Sequence, residues 1–278
     1  MNLENRVTGR SRLCLVIGDP ISHSLSPAMH NAAYADAQID FVMAAARVSA
    51  ESLAAALVGV RALDVRGLSV TMPLKVGIIE HLDHLDSVAE AIGAVNTIVN
   101  NKDVLTGYNT DWLGIVNPLE RICSLCEKRV AVLGAGGAAL AAVFGCMQRG
   151  ARVTVYNRNK ENAQALAKRL GCECGELSDS AAITAANIII NTTAIGMAEL
   201  ADRSPLPAGT LRSNHIVFET IYAPYTTPLL QQAIEAGAQL VRGHEMFLEQ
   251  GAAQFELHTG VKAPRAVMER IILAAAKA

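Results

Sequence analysis

The segment from Arg129 to Ala139 constrains the fold more than any other part of the chain. Arg129-Val-Ala-Val-Leu133 is a short β-branched apolar run that passes directly into Gly134-Ala-Gly-Gly-Ala-Ala139. Strand, glycine turn and helix in that order fit the dinucleotide fingerprint, with Ala139 in the small third position. Gly134 permits the tight turn, and Gly136 lets backbone approach a pyrophosphate. A helix beginning near Gly137 offers that phosphate unpaired N–H groups and a positive dipole end. Gly134, Ala135, Gly136, Gly137 and Ala138 are therefore the candidate phosphate cradle. The surrounding uncharged stretch, Val130–Met147, approaches the length of a membrane span, but its four glycines and internal turn favour a buried strand followed by a helix.

Beyond the turn, β-rich runs at Val153–Tyr156, Ile188–Ile190 and Ile216–Phe218 alternate with helical segments such as Ala138–Arg149 and Asn162–Leu170. This alternation predicts a doubly wound parallel sheet. The second strand ends at Tyr156, where an NAD-preferring site usually carries an acid for the ribose 2′-hydroxyl. Here the chain reads Asn157-Arg158-Asn159-Lys160. A solvated loop charge is the plainer reading of Arg158. A guanidinium with no neighbouring carboxylate also suits a 2′-phosphate, which makes NADP the expected cofactor.

The first part of the chain is patterned differently. Leu13–Ile17 reads as a buried strand, Phe41–Arg47 and Gly67–Val70 as two more, and Glu51–Ala62 as a helix. Ser26 followed by Pro27 predicts a helix start with Ser26 as N-cap, running to about Ala37. A further helix is expected from about Val76, short strands at Asn96–Asn100 and around Leu105, and a helix over Asp111–Arg121. Two long helices, roughly Glu245–Thr259 and Pro264–Ala276, close the chain. Boundaries between units are expected near Asp111 and near Gly243.

Composition narrows the function classes. The 24 Lys+Arg against 26 Asp+Glu argue against a nucleic-acid surface or a polybasic membrane anchor. With 51% hydrophobic and 18% charged residues the chain is not disordered, and only 4% aromatics predicts an aliphatic core. Met1–Arg12 lacks the apolar core of a secretory signal. Cys14 and Cys146 lie in apolar runs and read as small buried hydrophobes. Cys123/Cys126 and Cys172/Cys174 have spacings too irregular for a zinc site, so free thiols in a reducing cytoplasm, and no metal, are expected.

Four polar clusters precede the glycine turn: His23-Ser-Leu-Ser-Pro27, Ser69-Val-Thr-Met-Pro-Leu-Lys75, Gly93-Ala-Val-Asn-Thr97 and Gly107-Tyr-Asn-Thr-Asp111. Hydroxyls at a helix start can cradle a carboxylate, and residues following a strand lie where α/β sheets place ligands. Any one cluster alone would pass for an ordinary cap or turn. Together they resemble the shikimate dehydrogenase family over nearly the whole chain. The run Gly18-Asp-Pro-Ile-Ser-His-Ser-Leu-Ser-Pro-Ala-Met-His-Asn31 matches the family's opening. Val70–Lys75, Gly93–Thr97, Asn109–Gly114, the glycine turn and Gly243-His-Glu-Met-Phe-Leu-Glu-Gln250 follow in the family's order. Ser69, Leu140 and Phe247 depart from the residues common there.

The resemblance implies an α/β enzyme with an N-terminal substrate-binding domain, 1–111, completed by 243–278, and a C-terminal Rossmann NADP-binding domain, 112–242. It implies reversible reduction of 3-dehydroshikimate to shikimate, in aromatic amino acid biosynthesis. Lys75 and Asp111 would be the catalytic pair, with Ser24 and Ser26 on the substrate carboxylate. Thr71, Asn96, Asp111 and Gln250 would read ring hydroxyls, and Tyr222 would line the same pocket. Asn157, Arg158 and Gly243 would join the glycine turn in holding the cofactor. The expected partner is this small substrate alone, with neither nucleic acid nor membrane, in a cytoplasmic monomer or homodimer. A quinate/shikimate dehydrogenase or a paralogue using NAD or another substrate remains the alternative, and a non-catalytic NADP-sensing protein a third.

Overall fold

The computed structural model describes residues 7–276. Two compact units result, one running to Thr110 and resuming at Gln250, the other covering Asp111–Glu249. The second crossing thus falls inside a helix, later than the region around Gly243 where the sequence suggests it.

The first unit contains β1 (Arg12–Gly18), α1 (Ser26–Asp36), β2 (Phe41–Arg47), α2 (Leu53–Ala62), β3 (Gly67–Val70), β4 (His84–Leu85), α3 (Ser87–Ile92), β5 (Thr97–Asn101) and β6 (Val104–Tyr108). Its six strands lie in the order β2-β1-β3-β5-β6-β4. β1 is parallel to both β2 and β3, whereas β5 is antiparallel to β3 and β6. Leu57, Leu68, Leu74, Ile78, Ile98 and Leu105 fill an aliphatic core. Burying each of them contributes about 1.5–3 kcal/mol. Asn31 of α1 stitches the helix to β2, accepting from Met43 N at 2.8 Å and donating to Met43 O at 2.9 Å.

Two local expectations are corrected. Ser26 is not the N-cap of α1: Leu25 occupies that place, and no side chain caps the helix. The Ser26 N–H instead donates to Ser24 Oγ at 3.3 Å, so the turn closes one residue early and places Pro27 second in the helix. The helix expected from Val76 is only a 3₁₀ turn, Gly77–His81. Asp83 takes the Leu105 N–H at 2.7 Å and Arg61 at 2.9 Å, which draws the chain out into β4 beside β6.

The second unit runs through α4 (Asp111–Glu120), β7 (Arg129–Leu133), α5 (Gly137–Gln148), β8 (Arg152–Asn157), α6 (Lys160–Leu170), β9 (Glu173–Glu176), α7 (Ser180–Thr184), β10 (Ile188–Asn191), β11 (Ile216–Glu219), α8 (Pro228–Glu235), β12 (Gln239–Val241) and the start of α9 (Gly243–Thr259). The strands lie in the order β12-β11-β10-β7-β8-β9, all parallel. This is the doubly wound sheet expected, with the strand order reversing between β7 and β10. The uncharged stretch Val130–Met147 is divided between β7 and α5, and among the described residues no helix is long and apolar enough to cross a membrane. Cys14 and Cys146 are both buried.

The rest of α9 and α10 (Arg265–Ala276) belong to the first unit. There α9 buries His258 against Gly67, where a Cβ would overlap the imidazole. His258 lies 6.5 Å from the ring of His30, which also contacts Tyr34 and Phe255. Neither imidazole has a hydrogen-bond partner among the described residues. Burial pushes His258 down to about 4, and burial together with the neighbouring His258 pushes His30 down to about 3. An unfolded histidine titrates near ~6.5. Between those values the unfolded chain binds protons that the folded chain refuses, so stability is lost as pH falls below about 6.5. In thermal melts over a pH series, His30→Leu should show a flatter decline than wild type between pH ~6.5 and ~4. Parallel declines would remove His30 from acid destabilisation.

Candidate active site

In the first unit, strand registers bring the polar clusters to one edge of the sheet. β1 and β3 are parallel neighbours with Ile17 opposite Val70, so the segments that follow them emerge side by side. One carries Ser24 and Ser26, the other Thr71 and Lys75. The close approach explains Gly18, since a Cβ there would strike Thr71 and the Met72 carbonyl. Because β5 is antiparallel to β3, its first residue, Thr97, pairs with Ser69 at this same edge, and Tyr108 at the end of β6 pairs with Thr97. Asn96 and Thr110 therefore join the same end of the sheet.

Asn96 organises this edge. Its Oδ1 accepts from Thr110 N at 2.7 Å and Thr97 Oγ1 at 2.9 Å, and its Nδ2 donates to Thr110 Oγ1 at 2.9 Å. A longer contact of 3.4 Å joins Nδ2 to Gln250 Oε1 on α9. The Asn96 carbonyl accepts from Val70 N at 2.7 Å and Gln254 Nε2 at 2.9 Å. Asn109 is held in turn by the Ala94 carbonyl, at 2.8 Å. Thr110, Asn109 and Gln254 are supporting residues that the sequence reading did not single out. The Asn109-Thr110 pair lay inside a quoted cluster, whereas nothing in sequence marks Gln254.

Ser26 is buried at the start of α1, and its hydroxyl makes no hydrogen bond among the described residues; Ser24 is half-buried beside it. Thr71 and Lys75 are also half-buried, on the turn that follows β3. Such an edge can offer an ammonium, several hydroxyls and carboxamides to a small polyhydroxylated acid. Asp111 follows Thr110 directly in the chain, buried at the first position of α4, where the helix dipole favours a carboxylate.

In the second unit the glycine turn joins β7 to α5. Gly134 has φ +113°, and a Cβ there would sit 2.5 Å from Thr192 Oγ1, so the fold itself requires glycine. Gly136 is different. Its φ of −94° and ψ of −168° suit any residue, and a Cβ there would meet nothing within 4 Å. Packing does not demand glycine here, and the open space leaves room for a phosphate at the start of α5. Gly137 and Ala138 open the helix without a side-chain cap, and Ala139 is buried beneath it. The residues present thus fit a dinucleotide pyrophosphate.

At the end of β8, Asn157 donates to Asn159 O at 3.0 Å, and Asn159 caps α6 through Asn162 N at 2.8 Å. Arg158 is exposed, with no hydrogen bond or ion pair among the described residues. Lys160, by contrast, pairs with Glu176 at 3.3 Å. Gly243 opens α9 against the carbonyls of Thr220 and Ile221, so packing alone accounts for a glycine there. The Tyr222 ring packs against that of Phe247, tilted by 31° with centroids 4.8 Å apart. Among the described residues no cluster of three or more His, Cys, Asp or Glu side chains could hold a metal.

A parallel sheet in this strand order, with an open glycine turn and a free guanidinium past its second strand, defines a dinucleotide-binding α/β protein. Comparison with known proteins narrows the class. Residues 16–98 match the family described as "Shikimate dehydrogenase substrate binding domain", 118–204 match "Shikimate / quinate 5-dehydrogenase" and 243–273 match "Shikimate 5'-dehydrogenase C-terminal domain". The shikimate dehydrogenase (NADP(+)) of Moorella thermoacetica is 40% identical over 278 residues, covering 96% of this chain and 94% of that protein. A crystal structure of a shikimate dehydrogenase in complex with NADP+ superposes with a TM-score of 0.93 at 35% identity, covering 99% of both chains. That of the Thermus thermophilus shikimate 5-dehydrogenase, in complex with NADP(H) and shikimate, gives 0.88 at 34% identity, over 95% of this chain and 99% of the other. The chain belongs to the shikimate dehydrogenase family.

The open position at Gly136 yields a direct test. Gly136→Val should leave the melting temperature almost unchanged yet abolish NADPH binding, measured by fluorescence titration. A valine variant that still binds NADPH would show that no phosphate comes close to this backbone.

Proposed function

We propose that the protein is an NADP-dependent oxidoreductase that reversibly reduces 3-dehydroshikimate to shikimate, a step of aromatic amino acid biosynthesis. The observation that supports it most is the convergence of Ser24, Ser26, Thr71, Lys75, Asn96 and Gln250 on one sheet edge, in a chain whose relatives are shikimate dehydrogenases using NADP. In this reading Ser24 and Ser26 hold the substrate carboxylate. Thr71, Asn96, Asp111 and Gln250 read the ring hydroxyls, and Tyr222 also serves the substrate. The glycine turn from Gly134 to Ala138, with Asn157, Arg158 and Gly243, holds the cofactor, and Arg158 takes the 2′-phosphate. The unit completed by α9 and α10 serves the substrate, and the doubly wound unit serves NADP. A reducing cytoplasm suits the six free cysteines.

NADPH, when bound, supplies a hydride to the keto carbon. Negative charge then grows on the carbonyl oxygen. The Lys75 ammonium stabilises that charge and delivers a proton from Nζ to the oxygen, leaving the alcohol and a neutral amine. In the oxidative direction the same amine recovers the proton as the hydroxyl is oxidised. Asp111 orients a substrate hydroxyl through its carboxylate. The buried Asn96 needs no proton of its own: its carboxamide is fixed by Thr97 and Thr110, so a hydroxyl meets a preset partner.

Steady-state assays with shikimate and quinate, each against NADP and NAD, test the reading. Shikimate with NADP should give the highest kcat/KM, and a quinate or NAD preference would replace it with the alternative. Lys75→Ala should lower turnover by roughly 10²–10⁴ while the KM for shikimate changes much less, because its charge matters most in the transition state. Near-normal turnover in that variant would sink the lysine mechanism. Arg158→Ala should raise the KM for NADP and leave that for NAD nearly unchanged. Equal losses would show that the arginine does not read the phosphate.

A further inference from the structure

A buried carboxylate lies where the proposed chemistry makes no use of it. Glu219 ends β11 with no solvent exposure. Both of its oxygens accept from Asn191 Nδ2 at 3.0 Å. Oε1 also accepts from Ile221 N at 3.1 Å, and Oε2 from Thr227 Oγ1 at 2.9 Å. Every one of these partners is a donor, so the shell is arranged for the ionised carboxylate. Burial nonetheless pushes the group up to about 7. Above that value the ionised group is held in the interior by these donors, against the penalty of burial.

The partners of Glu219 suggest a role. Asn191 ends β10, and its Oδ1 accepts from Thr193 N at 3.0 Å and Thr193 Oγ1 at 2.7 Å, while Nδ2 also reaches Ile195 O at 3.2 Å. The adjoining Thr192 donates from Oγ1 to Leu133 O at 2.7 Å, at the head of the glycine turn. Three segments leaving the carboxyl ends of β7, β10 and β11 are thereby knitted together, and Glu219 closes the set from the β11 side. In a doubly wound sheet of this order the ligand lies outside those carboxyl ends, with one nucleotide on each half of the sheet. The glycine turn and Arg158 belong to the β7–β9 half. Residues 192–196 and 220–227 belong to the β10–β12 half and therefore face the second nucleotide, the nicotinamide one.

We propose that Glu219 is a positioning residue for the nicotinamide half of the cofactor, tying the segment that carries Tyr222 to the segment that carries Thr193. The inference rests on the NADP reading above. The carboxylate touches neither cofactor nor substrate and acts through Asn191, Thr227 and the Ile221 amide. Asn191 cannot turn over to serve a different partner, because Thr193 holds its oxygen.

The test separates the two halves of the ligand. Glu219→Gln keeps the side chain's size but sets an N–H against a ring of donors. Dissociation constants are measured for NADPH, by its fluorescence, and for 2′,5′-ADP, which carries only the adenosine half, by calorimetry. NADPH should weaken by about tenfold or more, the scale of one lost charge-assisted hydrogen bond, with 2′,5′-ADP essentially unchanged. Unchanged NADPH binding, or equal weakening of both ligands, overturns the proposal. Should Glu219→Gln fail to fold, Thr227→Val and Thr227→Ser decide. The valine should weaken NADPH selectively and the serine should restore it, and wild-type NADPH binding in the valine variant overturns the proposal. Arg158→Ala should behave in the opposite sense, weakening 2′,5′-ADP. Its failure would strike the cofactor reading, whereas the Glu219 and Thr227 results strike only the positioning role.

Discussion

Asn96 is the residue on which the first unit's polar edge depends. A carboxamide buried there would be costly if any of its atoms lacked a partner. Instead its side chain is tied to Thr97 and Thr110, and its backbone carbonyl joins β3 to α9 through Val70 and Gln254. Two motifs far apart in sequence, Gly93–Thr97 and Asn109–Asp111, are thus halves of one hydrogen-bonded knot. The knot is possible only because β5 turns antiparallel to β3 and β6, which returns Asn96 and Thr110 to the edge where β1 and β3 end.

The second unit meets its demands through glycine and through buried donors. Gly134 and Gly136 lie two residues apart, yet their reasons differ. Gly134 is required by its positive φ and by Thr192. Gly136 faces open space, so packing gives no reason for glycine there. Glu219 and Asn191 convert an ordinary sheet edge into a connected support, because the carboxyl group accepts from Asn191, Ile221 and Thr227 at once.

The buried titratable groups of the two units pull stability in opposite directions. His30 and His258, pushed down, stabilise less as pH falls below about 6.5. Glu219 is pushed up to about 7 from an ordinary value near 4.5, so the folded chain keeps a proton that the unfolded chain has released. Its contribution is fully present below that ordinary value and is lost as pH rises through about 7. Each unit therefore has its own pH response, set by what it buries.

The doubly wound unit was legible from the chain because its signals are local. The glycine turn, the β-branched runs and the missing acid after Tyr156 each act over a few residues, and the helices and strands they imply are present with ends shifted by one or two positions. The polar clusters of the first unit and the family they resemble were legible for the same reason. Elements without a local signal were not: β9 is an exposed edge strand, β4 spans two residues, and the turn after Val76 is cut short by Asp83. Ser26 looked like a cap because serine before proline usually is one, and only the bond from its own N–H to Ser24 moved the helix start. The support provided by Thr110, Gln254 and Glu219 was beyond sequence altogether. Each has a partner on a separate segment: Asn96 for Thr110 and Gln254, Asn191 for Glu219. A hydrogen bond of that kind exists only once strand order and register have brought its two ends together.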